Sequence, residues 1–467
     1  MTVRNTINPN RRAVLAGAAS SVMLPSFALG ASHSPVELRP SLFQSQLLPD
    51  AYPQTQMWGY GGTAPGPEIR VAQGARIERR LVNDLPQPTS IHWHGIRIDN
   101  KMDGVPGLTQ AATAPGEMFD YAFEVPDAGT YWYHAHNQST EQVARGLFGA
   151  LIVEEANAPE VDQDVVLILD DWLMLETGEI DPDFAAAHDR SHAGRLGNFV
   201  TTNGTFALEM PVRHHYRLRL RLINAANARI FPLTLQGLEG WIVALDGMPL
   251  SQPERLTSEI ILGPGQRVDL IVDVKSAGGE TAYLVRLNED TPQPQVIFPV
   301  SDGSAANQRP VPAALAPNPS MDLPDLARAT RTQLVMEEGA MGGLSAAIVD
   351  GNRESFRQIA QKNMFWAFNG VVGMTDTPLI DAALGEQIAL SISNHTVFPH
   401  AMHLHGIHFR EIMEGEALGP MRDTLLLGGR ETREIAFIAD NPGDWLFHCH
   451  MLSHADAGMM AWIRVRA

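Results

Sequence analysis

Three stretches of this 467-residue chain repeat one pattern, and a repeat constrains architecture before any local reading does. The first copy runs from the Gly-Tyr-Gly-Gly of 59–62 through Leu81-Val82-Asn83 to His94-Gly95. The second runs from Asn203-Gly204 through Leu222-Ile223-Asn224 to Gln236-Gly237, and the third from Asn369-Gly370 through Ser391-Ile392-Ser393-Asn394 to His405-Gly406. Each copy continues with a Gly-containing turn and an alternating strand: Pro115-Gly116-Glu117 before 119–125, Pro264-Gly265-Gln266 before 268–274, and Gly428-Gly429-Arg430 before 434–438. Apolar residues recur at period two and long helical stripes are few, which predicts short strands in β-sandwiches. The expected organisation is all-β: one sandwich over 32–157, a second over 158–300, a connector over 301–330 and a third over 331–467. The connector holds five Pro. Residues 339–363 fall outside the repeat. A short helix is expected at 355–362, and the stretch reads either as a lid or as an idle surface insertion.

Ten of the 17 His fall into four tight clusters. They are His92-Trp93-His94, His134-Ala135-His136, the group His400, His403 and His405, and His448-Cys449-His450 followed by His454. The other seven (His33, His188, His192, His214, His215, His395 and His408) look scattered. On a strand, residues i and i+2 share a face about 7 Å apart. Each His-X-His therefore offers two imidazoles to one side, suited to neighbouring metals. Cys449, the one cysteine of the chain, must point to the opposite face from His448 and His450, so one strand touches two sites. Joined by His400 and His454, with Met459 as a weak axial thioether, Cys449 makes a donor set for a blue copper ion. Zinc also accepts Cys and His, but it cannot cycle electrons and leaves the remaining eight His without a role. His94-Gly95 matches His405-Gly406 in the repeat, and His134/His136 match His448/His450, whereas copy two has Gln236-Gly237. The first and third sandwiches are expected to face each other and share one cluster, with the second as spacer.

The first 31 residues look like a targeting segment. Asn10-Arg11-Arg12-Ala13-Val14-Leu15 precedes an apolar, Ala-rich stretch and small residues, in the manner of a twin-arginine export signal. An ordinary secretory signal or an N-terminal anchor is the alternative. Export to the periplasm is the expectation, with the export machinery as a partner and no membrane insertion of the mature chain. A net charge of −19 argues against nucleic acid, which needs a basic face.

With these motifs in place, the chain resembles the three-domain multicopper oxidases, the laccase and cuprous oxidase family, over essentially all of its length beyond the leader. The resemblance implies three consecutive cupredoxin-like Greek-key β-sandwich domains and four copper ions. His92 and His403 would hold the type 2 copper. His94, His134 and His450 would hold one type 3 copper; His136, His405 and His448 would hold the other. His400, Cys449, His454 and Met459 would form type 1. The implied reaction couples one-electron oxidation of a small donor at type 1 to four-electron reduction of O2 to water at the trinuclear site. Asp103 sits where related cuprous oxidases carry a carboxylate beside the oxygen site, and is expected to supply protons. Ala455 stands where many bacterial relatives carry a proton-relaying Glu, and Asp456 is the expected substitute.

The donor is less determined. Thr396 and Phe398 stand where cuprous oxidases carry an Asp and a Met, and 339–363 contributes only Met341. The expectation is a laccase-like oxidase of phenolic or aromatic donors. The alternatives are metal-ion (cuprous) oxidation in copper tolerance and a copper-binding electron carrier without oxidase activity.

Overall fold

The computed structural model describes residues 35–287, 291–304 and 308–467. The expected leader, 1–31, lies outside them. The strands fall into three groups along the chain, and the repeat reappears as one mixed-sheet topology used three times. The stretches Leu81-Val82-Asn83, Leu222-Ile223-Asn224 and Ile392-Ser393-Asn394 close, or directly follow, the strands Arg76–Val82, Arg217–Asn224 and Gln387–Asn394. Each of these pairs antiparallel with the strand after the Gly-containing turn, namely Met118–Glu124, Arg267–Val274 and Thr432–Ile438. Each also pairs parallel with an earlier strand: Val36–Leu38, Gln163–Trp172 and Thr330–Glu338.

The repeated Asn has one task in all three copies. The Asn83 side-chain amide donates to the carbonyls of Gln87 and Thr113, that of Asn224 to Arg229 and Leu262, and that of Asn394 to Phe398 and Gly428. Each side-chain oxygen accepts from the backbone N–H two residues on. A buried amide with all these partners ties the strand end to the Gly turn, a job few other side chains have the donors and acceptors to do.

A second sheet closes each sandwich. In the first group its order is Ile69–Ala72, Phe148–Glu154, Gly129–Ala135, Ile91–His94; in the third it is Ile380–Ala383, Met460–Arg466, Gly443–Cys449, His400–Leu404, Thr424–Leu427. Between the paired sheets lie apolar cores, built around Leu81, Trp93 and Tyr133 in the first group, Leu220, Phe231 and Leu270 in the second, and Leu390, Phe437 and Phe447 in the third. Burial of each such side chain contributes about 1.5–3 kcal/mol before entropy is counted. No helix among the described residues is long and apolar enough to cross a membrane.

Two stretches differ from the simple expectation. The strand Gln293–Ser304 runs into the expected connector, and the next strand, Thr330–Glu338, begins at its last residue. The connector is also pinned: buried Asn318 donates to the Ala128 carbonyl at 2.7 Å and accepts from its N–H at 2.9 Å. Residues 339–363 form a hairpin, Ala346–Val349 with Asn352–Ser355, and then the helix Phe356–Gln361, started by a Ser355/Gln358 capping box.

Candidate metal centre

Strand parity builds the centre. The strand Ile91–His94 sends Ile91 and Trp93 into the first apolar core, so His92 and His94 emerge on the other face. His92 lies opposite His134 in the sheet, while in the third sandwich His403 lies opposite His448 and Met402 opposite Cys449. The two His-bearing faces meet. Ring centroids of His94, His134 and His450 are 4.9–5.7 Å apart. Those of His136, His405 and His448 are 5.1–5.5 Å apart, and His92 lies 5.7 Å from His403. Stacked pairs link these groups, His92 on His405 at 3.8 Å and His94 on His403 at 3.7 Å.

On the core side of the third sandwich, Cys449 Sγ lies 3.6 Å from His400 Nδ1 and 3.9 Å from His454 Nδ1. The outer nitrogens of both rings are engaged. His454 Nε2 donates to the His192 carbonyl at 2.8 Å, and His400 Nε2 lies 2.9 Å from Thr396 Oγ1. A carbonyl only accepts, so the His454 proton sits on Nε2 and its Nδ1 lone pair is aimed at the sulfur. Met459 is buried beside them, its carbonyl accepting from the Cys449 N–H at 3.1 Å.

This donor set fits a cation. Burial pushes the Cys449 thiol up to about 12 and the imidazoles of His448 and His454 down to about 3. The His stay neutral, and a thiolate requires positive charge beside it. Among the described residues, Nε2 of His92, His134 and His403, Nδ1 of His94 and both ring nitrogens of His450 are buried without a hydrogen-bond partner. Each would cost about 1–3 kcal/mol unless its lone pair met a metal. Two imidazoles and a thiolate suit copper, and the purely imidazole cluster suits it equally.

Carboxylates orient the rings. Asp103 is buried, with its Oδ1 3.2 Å from His92 Nδ1 and its Oδ2 3.0 Å from His405 Nδ1, and so reaches a ring from each sandwich. Sequence reasoning missed its counterpart, Asp423, which lies 3.3 Å from both His94 Nε2 and His403 Nδ1. Burial opposes ionisation of Asp423, but the Arg267 guanidinium beside it holds the carboxyl well below its usual range. Arg267 belongs to the second sandwich, which is therefore more than a spacer. Its turn also touches the cluster: a Cβ on Gly265, which has φ +80°, would meet His450 at 2.9 Å and His94 at 3.0 Å. The Gly of His94-Gly95 is explained in the same way, since a Cβ there would collide with Arg267 and Asp423. No local motif marks Arg267 or Asp423, which are 156 positions apart.

The second sandwich also caps the cysteine side. The carbonyls of Asp189, Arg190 and His192, at the end of the helix Ala187–Ser191, accept from Ser453 Oγ, Trp366 Nε1 and His454 Nε2. Those carbonyls would otherwise be unpaired at a helix end. The Trp366 ring lies 4.4 Å from His454 and 5.0 Å from His400. The stretch 339–363 meets this cap, Asn363 donating to the Ala185 carbonyl at 2.6 Å.

Asp456 ends the helix Leu452–Asp456, where its Oδ2 accepts from Thr140 Oγ1 at 2.6 Å. Burial raises its carboxyl above the ordinary range. A cavity of about 160 Å³ is lined by Asp456, Ala455, Asn137, His136 and His448, and so joins this acid to the His cluster.

Comparison with known proteins agrees with this geometry. Family models described as multicopper oxidase match residues 42–158, 163–299 and 351–467, one for each sandwich. Among curated proteins, the multicopper oxidase MmcO of Mycobacterium tuberculosis is 29% identical over 431 residues, 86% of this chain and 81% of that protein. Among solved structures, Lac15 from a marine microbial metagenome is 40% identical with a TM-score of 0.76, covering 92% of this chain and 100% of that one. A multi-copper oxidase from Pseudomonas thermotolerans is 33% identical with a TM-score of 0.81, covering 92% and 99%. With every sandwich matched and each His cluster in place, the chain belongs to the multicopper oxidase family.

Proposed function

We propose that the chain oxidises phenolic or aromatic amine donors one electron at a time and passes the electrons to O2, four donors and four protons yielding two waters. The observation that carries this reading is the strand Gly443–Cys449, whose last residue faces His400 and His454 while His448 and His450 on either side face the eight-His cluster. A few covalent bonds thus link the donor compartment to the oxygen compartment.

Four copper ions would be held in the expected arrangement: type 1 by His400, Cys449 and His454 with Met459 axial; type 2 by His92 and His403; the type 3 pair by His94, His134 and His450 and by His136, His405 and His448. The ring separations bring all eight imidazoles into one cluster, and the assignment of each to an ion follows the resemblance. Bound copper supplies one-electron redox steps and Lewis acidity that no side chain offers. The protein's own part is to hold the rings and manage protons. Asp103 fixes the His92 and His405 tautomers and passes protons into the cluster. Asp456 delivers them from the cavity shared with His136 and His448.

An aromatic donor is favoured by what surrounds the type 1 ligands. Thr396 supplies a hydroxyl to His400, and the half-buried Phe398 ring packs edge-on against the buried Trp366 ring, with centroids 6.2 Å apart. Neither Thr396 nor Phe398 offers the carboxylate or thioether that a metal-ion donor would bind. The Arg11-Arg12 leader supports export to the periplasm by the twin-arginine route. The deciding measurement is oxygen uptake by the copper-loaded protein with a phenol panel and with cuprous ion. A higher kcat/KM for a phenol is expected; a preference above about tenfold for cuprous ion, some 1.4 kcal/mol, overturns the donor assignment.

A further inference from the structure

The cap over the cysteine side carries two imidazoles that neither compartment uses. His188 is exposed and His192 half-buried, at the two ends of one helical turn closed by the His192 N–H donating to the His188 carbonyl at 3.0 Å. Positions i and i+4 on a helix share a face. Here the rings already lie together, with centroids 4.3 Å apart and planes 28° from parallel. Ser191 Oγ lies 2.8 Å from His192 Nδ1, which leaves Nε2 as the open donor of that ring. Among the described residues, neither ring nitrogen of His188 forms a hydrogen bond.

We propose that His188 and His192 chelate one borderline divalent cation, of the zinc, nickel or cupric class, above the type 1 site. Two imidazoles one helical turn apart are a recurrent way for a helix to hold such an ion, with water completing the shell. A chain of net charge −19 draws cations to its surface. The site is coupled to the redox centre by His192 itself: its ring takes the cation, and its carbonyl accepts from the Nε2–H of His454. Positive charge placed there disfavours the more positive, oxidised form of type 1 and raises its reduction potential.

The test is calorimetric titration of the copper-loaded protein with zinc chloride, together with a redox titration of the visible type 1 band. The wild type is expected to bind one zinc ion beyond its copper complement and to show an upward shift in potential. His188→Ala and His192→Ala should each weaken zinc binding by at least about tenfold, the usual scale for losing part of a metal site, and abolish the shift. His188→Ala should leave the visible band and zinc-free phenol turnover unchanged. The proposal is overturned by equal zinc binding in wild type and variants, by no binding to wild type, or by zinc uptake that bleaches the visible band. Zinc stoichiometry is read without turnover, so this result stands apart from the donor assignment.

Discussion

The Arg267 guanidinium grips Asp423 with hydrogen bonds of 2.8 Å and 2.6 Å, both side chains fully buried. One residue comes from the second sandwich and the other from the third, and the carboxylate they hold in place reaches a His from the first sandwich and a His from the third. All three sandwiches are therefore fastened at the metal centre. The paired charge does no redox chemistry; it sets the orientation of two rings whose lone pairs must converge.

Removing one partner of this pair leaves the other as an uncompensated buried charge. Arg267→Met is expected to cost about 3–5 kcal/mol of stability, read as a lowered denaturant midpoint. The milder Asp423→Asn should lower copper content and oxygen turnover by roughly 10–100-fold while sparing the visible type 1 band, because His400, Cys449 and His454 lie on the far side of the sheet. Loss of that band together with the cluster would show that the two compartments are not separately supported.

Cys449→Ser tests the opposite compartment. His448 and His450 keep their positions, since they point away from residue 449. The variant should lose its colour and its donor oxidation but retain the copper bound by the eight His. Copper stoichiometry and visible absorption decide this, and loss of all copper would contradict the geometry.

The proposed proton route uses two carboxyls, Asp103 and Asp456, which should respond differently to substitution. Asp103→Asn removes a charge that orients His92 and His405, so copper retention and oxygen turnover should both fall. Asp456→Asn should leave copper content intact and slow oxygen turnover by roughly 100-fold, the lower range for loss of a proton donor. Ala455→Glu, which places a new carboxyl on the same cavity, should restore part of that turnover. Reduction of type 1 by donor under nitrogen is the control and should be unaffected by either Asp456 or Ala455.

What was legible beforehand depended on parity and repetition. Alternation places His92 and His94 on one face, and places Cys449 against its neighbours, without knowledge of any partner strand. The recurring Asn is visible for the same reason, since Asn83, Asn224 and Asn394 act within their own sandwiches. Beyond the shared His cluster, contacts between sandwiches were not legible. Arg219 and Arg221 alternate along a strand as solvent-facing charges usually do, yet both are buried against Asp269, and Arg221 also reaches Thr130 of the first sandwich. His192 looked scattered because its contribution is a backbone carbonyl, and a carbonyl leaves no trace in residue type. His408 looked scattered too, although it is buried 3.8 Å from Asp423.

Asp170 provides a pH test away from the metal centre. It lies near the end of the strand Gln163–Trp172 and is 3% exposed; Oδ1 accepts from the Asp171 N–H, and Oδ2 has no partner among the described residues. Burial, reinforced by the neighbouring Asp171 carboxylate, pushes its carboxyl well above the ordinary range. The folded protein therefore holds this proton more tightly than the unfolded chain does, and above an ordinary Asp value of about 4 unfolding releases it. The group's contribution to stability is complete at low pH and declines as pH rises towards the raised folded value. Asp170→Asn keeps the acceptor for the Asp171 N–H and removes the titration. The variant should match the wild type in acid and become progressively more stable than it towards neutral pH, as read from denaturant midpoints across the range. A constant difference at every pH would mean that Asp170 stays ionised in the fold and that a partner compensates its charge.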